Sequence, residues 1–370
     1  MKPQYCVIVK TGDAELRAMK HLPDSILSKI LPIVELTRGR GKKVGEGEEA
    51  HYIYPYQKKL EHIRSVFKDK TIVFDVTSDE LLSSKEIDNL FDPQDGYANW
   101  TREVSSLIDS GQFTSVIPSI IMNYDDNEDD FDNNIGKQIT TLLSRSSSIM
   151  YRCNLDNEAI PDDIQLIKEF LPETASLLVV VDCGWVPAAS YNNAADVCIK
   201  RISEIKDALG DCNHDIIVCS TSFPNNVSEI GKDDTDTFFL REIDLFEIVS
   251  QTHPDIGYGD YGSINPVRND QVVMARGWIP RIDVPLEREV YYYRKRRPGK
   301  SSSYANTYND VAESVTTDPR FPFDMSDYWG YAQIINCSMG DAPSASPSFW
   351  ISVRMNSHIV QQVNRLSQKI

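Results

Sequence analysis

Ser176-Leu-Leu-Val-Val-Val-Asp-Cys-Gly-Trp185 is an apolar run that ends on a carboxylate. Its core, Leu177 to Val181, is far too short to span a bilayer and suits a buried strand. An amphipathic helical pattern follows from Ala194 to Leu209, and then a second strand-type run, Asp215-Ile-Ile-Val-Cys-Ser220. Strand, helix and strand in this order imply a right-handed crossover and a parallel sheet.

The unit repeats in both directions. Upstream runs are Tyr5 to Lys10, Leu31 to Leu36, Thr71 to Val76, Ser115 to Ile121 and Ile149 to Cys153. Helical patterns between them cover Asp13 to Ile30, Glu48 to Phe67, Asn99 to Ser110, Asn134 to Arg145 and Asp162 to Phe170. Downstream come a helix from Phe238 to Ser250 and a weak eighth strand, Asp255 to Asp260. Eight steps in roughly 260 residues match an α/β fold of the (β/α)8 TIM-barrel-like type. A doubly wound open sheet is the alternative, and the lack of long continuous apolar strands favours the barrel.

The rhythm changes after residue 265. Val272 to Ile279 and Ile282 to Tyr293 are rich in aromatic and β-branched residues, and a basic loop follows from Arg294 to Ser303. Helices are expected from Tyr304 to Val315 and from Ser357 to Ser367. The reading assigns 1–265 to the barrel and 266–370 to a C-terminal α+β extension packed on it.

Composition narrows the function. The 370 residues carry 38 Lys+Arg against 55 Asp+Glu, a net charge of -17, which excludes a general nucleic-acid coat. A hydrophobic fraction of 41% excludes disorder. No apolar run suits a membrane span or a signal peptide, so a cytoplasmic protein without membrane contact is expected. Seven cysteines, an odd number without a C-x-x-C pair, read as buried thiols in a reducing compartment; a zinc site or a cysteine nucleophile is the lesser reading.

The strands end on polar residues: Lys10, Glu35, Asp75, Ser119, Arg152, Asp182, Ser220 and Asp260. In a parallel barrel these positions meet at the C-terminal rim, where barrel enzymes carry their chemistry. Glu35, Asp75 and Asp182 sit in apolar runs, and a buried carboxylate needs a cation, a metal or several donors. Two chemistries fit. The carboxylates could hold a divalent metal, Mg²⁺ or Mn²⁺, on Glu35, Asp75 and Asp182. They could instead work as acid and base, as on a glycosidic bond. Cations at strand ends favour an anionic ligand and hence the first. A salt-bridge network plugging the barrel mouth would show the same residues. Six histidines, none at a strand end, disfavour a His-rich zinc hydrolase.

Other motifs are weaker. Gly257-Tyr-Gly-Asp-Tyr-Gly262 matches G-x-G-x-x-G but opens no helix, so its glycines are expected to turn the chain and expose Asp260 and Tyr261. No nucleophile elbow or P-loop is present. The basic stretches Arg38 to Lys43 and Arg294 to Lys300 read as solvated loops or anion contacts, and Asp125 to Asp132 as a solvated acidic loop.

These pieces, in this order, resemble the bacterial and phage beta protein family. The resemblance rests on YCVIVKTGDAELRAMKHL and ILPIVEL, FDV, RC, VDCGW, GYGDYGSINP, RGW and a late WI…NSHI segment. It implies a barrel-like domain with a C-terminal extension and a phage or mobile-element setting, often beside anti-phage defence genes. It supplies no reaction. Lys10, Glu35, Asp75, Arg152, Asp182, Trp185, Asp260, Tyr261 and His358 fall in its recurring motifs, and Asn356-Ser-His358 departs from the family's Asn-His-His form.

The resulting expectation is a phage-associated or defence protein that binds a phosphate-containing ligand, nucleotide or single-stranded nucleic acid, and hydrolyses it. Lys10, Arg152 and Arg276 would hold the anion. Glu35, Asp75, Asp182 and Asp260 would act as acid, base or metal ligands, and Trp185 and Tyr261 would stack. The rival is a non-catalytic sensor or scaffold subunit that recruits a partner defence protein or assembles as a homo-oligomer.

Overall fold

The computed structural model describes residues 5–47, 50–124, 128–225, 234–267, 277–299 and 302–368. Its strands in chain order are β1 Tyr5–Lys10, β2 Ile30–Leu36, β3 Lys42–Val44, β4 His51–Ile53, β5 Thr71–Val76, β6 Ser115–Pro118 and β7 Ser148–Asn154. Then come β8 Ser176–Trp185, β9 His214–Thr221, β10 Thr235–Phe239, β11 Gly257–Asp260, β12 Arg281–Pro285 and β13 Glu289–Arg294.

Eight of these strands form a parallel sheet in the order β6-β5-β2-β1-β11-β9-β8-β7. A bridge between Ser119 and Met150, with Ile120 N–H donating to the Met150 carbonyl at 2.8 Å, joins the two ends. The result is a TIM-like barrel in which all eight expected strands take part. Alternation sorts each strand into two faces. Ile8, Ile33, Val73, Met150, Val180 and Ile217 fill the interior, while Val7, Val34, Phe74 and Val179 pack under the helices. The Tyr191–Leu209 helix shows the helical half of the pattern, burying Ala195, Cys198, Ile202, Ile205 and Leu209.

Several expectations are corrected. The helix placed at 48–67 starts at Gln57, because His51–Ile53 pairs with Lys42–Val44 as a hairpin. The helix placed at 238–250 starts at Arg241, since Phe238 and Phe239 belong to β10. That strand pairs antiparallel with β13, which pairs with β12, so a three-stranded sheet ties the chain before the last barrel helix to the extension. The final helix runs Pro347–Ser367, ten residues earlier than the spacing suggests. Residues 128–132 of the acidic stretch lie in a helix, Glu128–Leu143, and 125–127 lie outside the described residues.

The glycines of the eighth strand have a different task from the one expected. Gly257 and Gly259 face the barrel interior, and a Cβ on Gly259 would stand 2.3 Å from Cys219 Sγ. They make room for neighbours. Gly262, with φ +58°, makes the turn. Asp260 and Tyr261 are buried, at 1% and 3% exposure.

All seven cysteines are free, and five are buried. Among the described residues no helix is long and apolar enough to cross a membrane.

Candidate functional site

The i, i+2 alternation that fills the barrel with apolar side chains also delivers its last inward residue on each strand to the rim. On β1, Cys6 and Ile8 lead to Lys10; on β2, Leu31 and Ile33 lead to Glu35; on β8, Leu178 and Val180 lead to Asp182. By the same count β5 delivers Asp75 and β7 delivers Arg152. The structure brings these five together, with Tyr261 from the turn after β11.

Arg152 is the centre. Its Nη1 donates to Glu35 Oε2 and to Asp75 Oδ2, both at 2.8 Å. Its Nη2 and Nε donate to Asp182 Oδ2 at 2.7 and 3.0 Å. Tyr261 Oη donates to Asp182 at 2.6 Å. Lys10 stands outside the network, with Nζ 3.7 Å from both Glu35 and Asp79 and a hydrogen bond to the Pro266 carbonyl at 3.1 Å.

Burial makes these partners matter. Glu35, Asp75 and Asp182 are 3%, 6% and 4% exposed. Burial alone would raise Glu35, but the Arg152 and Lys10 charges outweigh it and hold its carboxyl below the ordinary range. Burial raises Asp75; Arg152 opposes the rise incompletely, and the adjacent Glu35 adds to it. Burial disfavours the Arg152 charge, yet Asp182, Tyr261, Glu35 and Asp75 together raise its pKa well above the ordinary value. Tyr261 is raised by burial and by Asp182. The neighbouring carboxylates Glu35 and Asp75 are thus pushed in opposite directions, which is how acid and base roles separate.

Above the cluster lies a cavity of about 410 Å³. Lys10, Glu35, Arg152 and Asp182 line its floor, and Asp79, Trp185 and Tyr261 line its sides. Trp185 is 37% exposed and follows an irregularity in the β8–β9 register, where Gly184 takes φ +60°.

Asp260 is not part of the cluster. It shares the phase of Tyr258, which faces outward, so its carboxylate lies behind the barrel wall. There it accepts from Tyr5 Oη at 2.5 Å, Tyr258 Oη at 3.0 Å and the Gly262 N–H at 2.8 Å. His358 Nε2 of the final helix lies 2.8 Å from it. Ser220, its register partner, shares that face, and Ser119 sits where the barrel closes. Arg276 lies outside the described residues. Sequence reasoning missed Asp79 and Thr77 as cavity residues; both follow β5 directly, the position of a rim loop.

The donor set does not match a resident metal. The facing oxygens of Glu35, Asp75 and Asp182 are taken by Arg152, whose guanidinium fills the space a cation would need. Among the described residues no three His, Cys, Asp or Glu side chains are placed to hold a metal ion.

The family model described as Beta protein matches residues 5–364. Protein beta of Enterobacteria phage P4 is 27% identical over 368 residues, covering 97% of this chain and 92% of that protein.

Proposed function

The chain belongs to the beta protein family, and on that basis we propose that it is a phage-associated protein whose rim cavity binds a small phosphate-containing ligand. The observation that carries this reading is Lys10. An ammonium has three donors, and among the described residues Lys10 spends one, on Pro266. Its two carboxylate neighbours stand at 3.7 Å, beyond hydrogen-bond reach, inside a cavity whose other cation is saturated. A phosphate oxygen is the partner those donors suit. Trp185 offers a ring face at the cavity edge, which favours a nucleotide. The exposed Lys42 and Lys43 supply further positive charge on β3, in the hairpin that follows β2.

In a hydrolytic reading Glu35 is the proton acceptor, because it lines the cavity and Arg152 and Lys10 hold its pKa down, while burial raises that of its neighbour Asp75. A divalent cation would have to be held by the ligand's phosphate, since Arg152 holds the three carboxylates.

One observation favours the second reading, a non-catalytic sensor or scaffold subunit. The Arg152 cluster is satisfied without a ligand, as a structural plug is.

The test is a thermal-shift and product-release screen of the full chain with nucleoside phosphates and inorganic phosphate, with and without Mg²⁺ or Mn²⁺. The binding reading expects stabilisation that Lys10→Met removes, and identical shifts in wild type and Lys10→Met sink it. Ligand binding without product release selects the non-catalytic reading.

A further inference from the structure

A second cavity, about 630 Å³, lies in the seam between barrel rim and extension. Its walls come from the turns after β9 and β11, from β12 and β13, and from the start of the final helix.

Three guanidiniums line it. Arg281 opens β12, Arg294 closes β13, and the two are direct cross-strand partners. Like charges in opposed positions weaken a sheet. Arg354, 6% exposed, enters from the final helix, with Nη1 3.0 Å from Asp283 Oδ2 and Nε 3.3 Å from Ser263 Oγ. Asp283 Oδ2 also accepts from Arg281 Nε at 3.1 Å, so one carboxylate serves two guanidiniums.

Among the described residues Arg294 has no carboxylate within hydrogen-bond reach. Its Nε is buried without a hydrogen bond, and the carboxylate paired with it, Asp234, stands at 3.8 Å. Among the described residues Arg354 Nη2 makes no hydrogen bond either. Burial pulls Arg354 down to about 10, with Asp283 opposing the fall and Arg281 adding to it. Glu15, the other acid in the lining, is raised by burial and so shifts toward its neutral form. Three guanidiniums against Asp283 and Glu15 make the lining a local excess of positive charge in a chain of net charge -17.

Aromatic rings complete it. The Arg354 guanidinium lies 4.0 Å from the Phe223 ring centroid, and Trp278 lines the cavity while stacked on Tyr304 at 4.0 Å.

We propose that the seam cavity is a second ligand site, for an aromatic anion of the nucleoside monophosphate class. Arg294 and Arg281 take the phosphate in the forked geometry that guanidinium offers. The ring lies against Trp278 and Phe223. The site does not depend on the rim reading, because Lys10 does not line it.

The test titrates the full chain at low salt with AMP, adenosine and inorganic phosphate, following heat and tryptophan fluorescence. AMP binds, adenosine binds at least tenfold more weakly, and Arg294→Gln weakens AMP at least tenfold while keeping the wild-type urea midpoint. Should Arg294→Gln lower that midpoint, fluorescence decides: AMP-dependent quenching persists in Trp185→Phe and is lost in Trp278→Phe. Absence of AMP binding at millimolar concentration overturns the proposal, as does wild-type AMP affinity in folded Arg294→Gln or quenching that Trp278→Phe leaves intact. Lys10→Met decides the rim reading separately.

Discussion

Glu35 and Asp75 are register partners on adjacent parallel strands, and both accept from the same nitrogen, Nη1 of Arg152, at 2.8 Å. Two neighbouring carboxylates share one donor atom, so they do not respond to pH alike.

Glu35 is held below the ordinary carboxylate range once the Arg152 and Lys10 charges have outweighed burial. Its contribution to stability is present above the unfolded pKa and is lost as pH falls through the lower folded value. Asp75, raised by burial, behaves oppositely: its contribution is complete below the unfolded pKa and fades as pH rises through the folded value. At pH 7, Glu35→Gln is therefore expected to cost about 1–3 kcal/mol, and Asp75→Asn less than about 1. Urea unfolding at pH 7 and pH 4 checks this, and the gap between the variants should narrow at the lower pH.

Arg152→Met removes the cation from three buried carboxylates and is expected to cost about 3–5 kcal/mol. Arg152→Lys should recover little, because an ammonium is a point charge without the fork that spans strands β2, β5 and β8. Equal urea midpoints for wild type and Arg152→Lys would show that charge alone suffices.

Gly259→Ala places a methyl against Cys219 Sγ inside the barrel, and overpacking of that kind costs about 1–3 kcal/mol. Cys219→Ala removes the clashing sulfur. The double variant should recover part of the loss, and a double-mutant cycle measures the coupling. Strict additivity would contradict the packing argument.

His358→Phe leaves the Asp260 carboxylate behind the barrel wall with hydroxyl and amide donors but no imidazole. The expected cost is about 3–5 kcal/mol. Burial would raise Asp260, and His358 with these donors outweighs it, lowering its pKa. The stability Asp260 contributes is thus present at neutral pH and lost on acidification, and His358→Phe should flatten the fall of stability below about pH 5. An unchanged slope would remove His358 from that linkage.

Seven barrel strands were legible as apolar runs closed by a polar residue, as in Val73-Phe74-Asp75, and the eighth, Gly257–Asp260, only weakly, because glycines replace its inward side chains. The site was legible in part. Reading strand ends by position gathered Lys10, Glu35, Asp75, Arg152 and Asp182 correctly at the rim, but it also gathered Asp260. Counting in steps of two from Tyr258 places Asp260 outside and Tyr261 inside. Strand β10 was hidden because Phe238 and Phe239 also fit the helical pattern that begins at Arg241. Its pairing with β13, 50 to 58 positions away, leaves no local trace. Arg294 was read as the start of a basic loop, whereas it closes β13 opposite Arg281 of β12.

The final helix carries a consequence for how the chain reaches this state. Asn356 donates to the Ala18 carbonyl at 2.9 Å, and His358 reaches Asp260 beside Tyr5. The first helix therefore finds a partner 338 positions away. A ribosome that has made the first 340 residues has produced all eight staves but not the hoop that closes over β1 and β11. Until then Tyr5, Tyr258 and Asp260 lack the His358 side of their cover. Closure waits until that helix has been made, because it joins residues 338 positions apart.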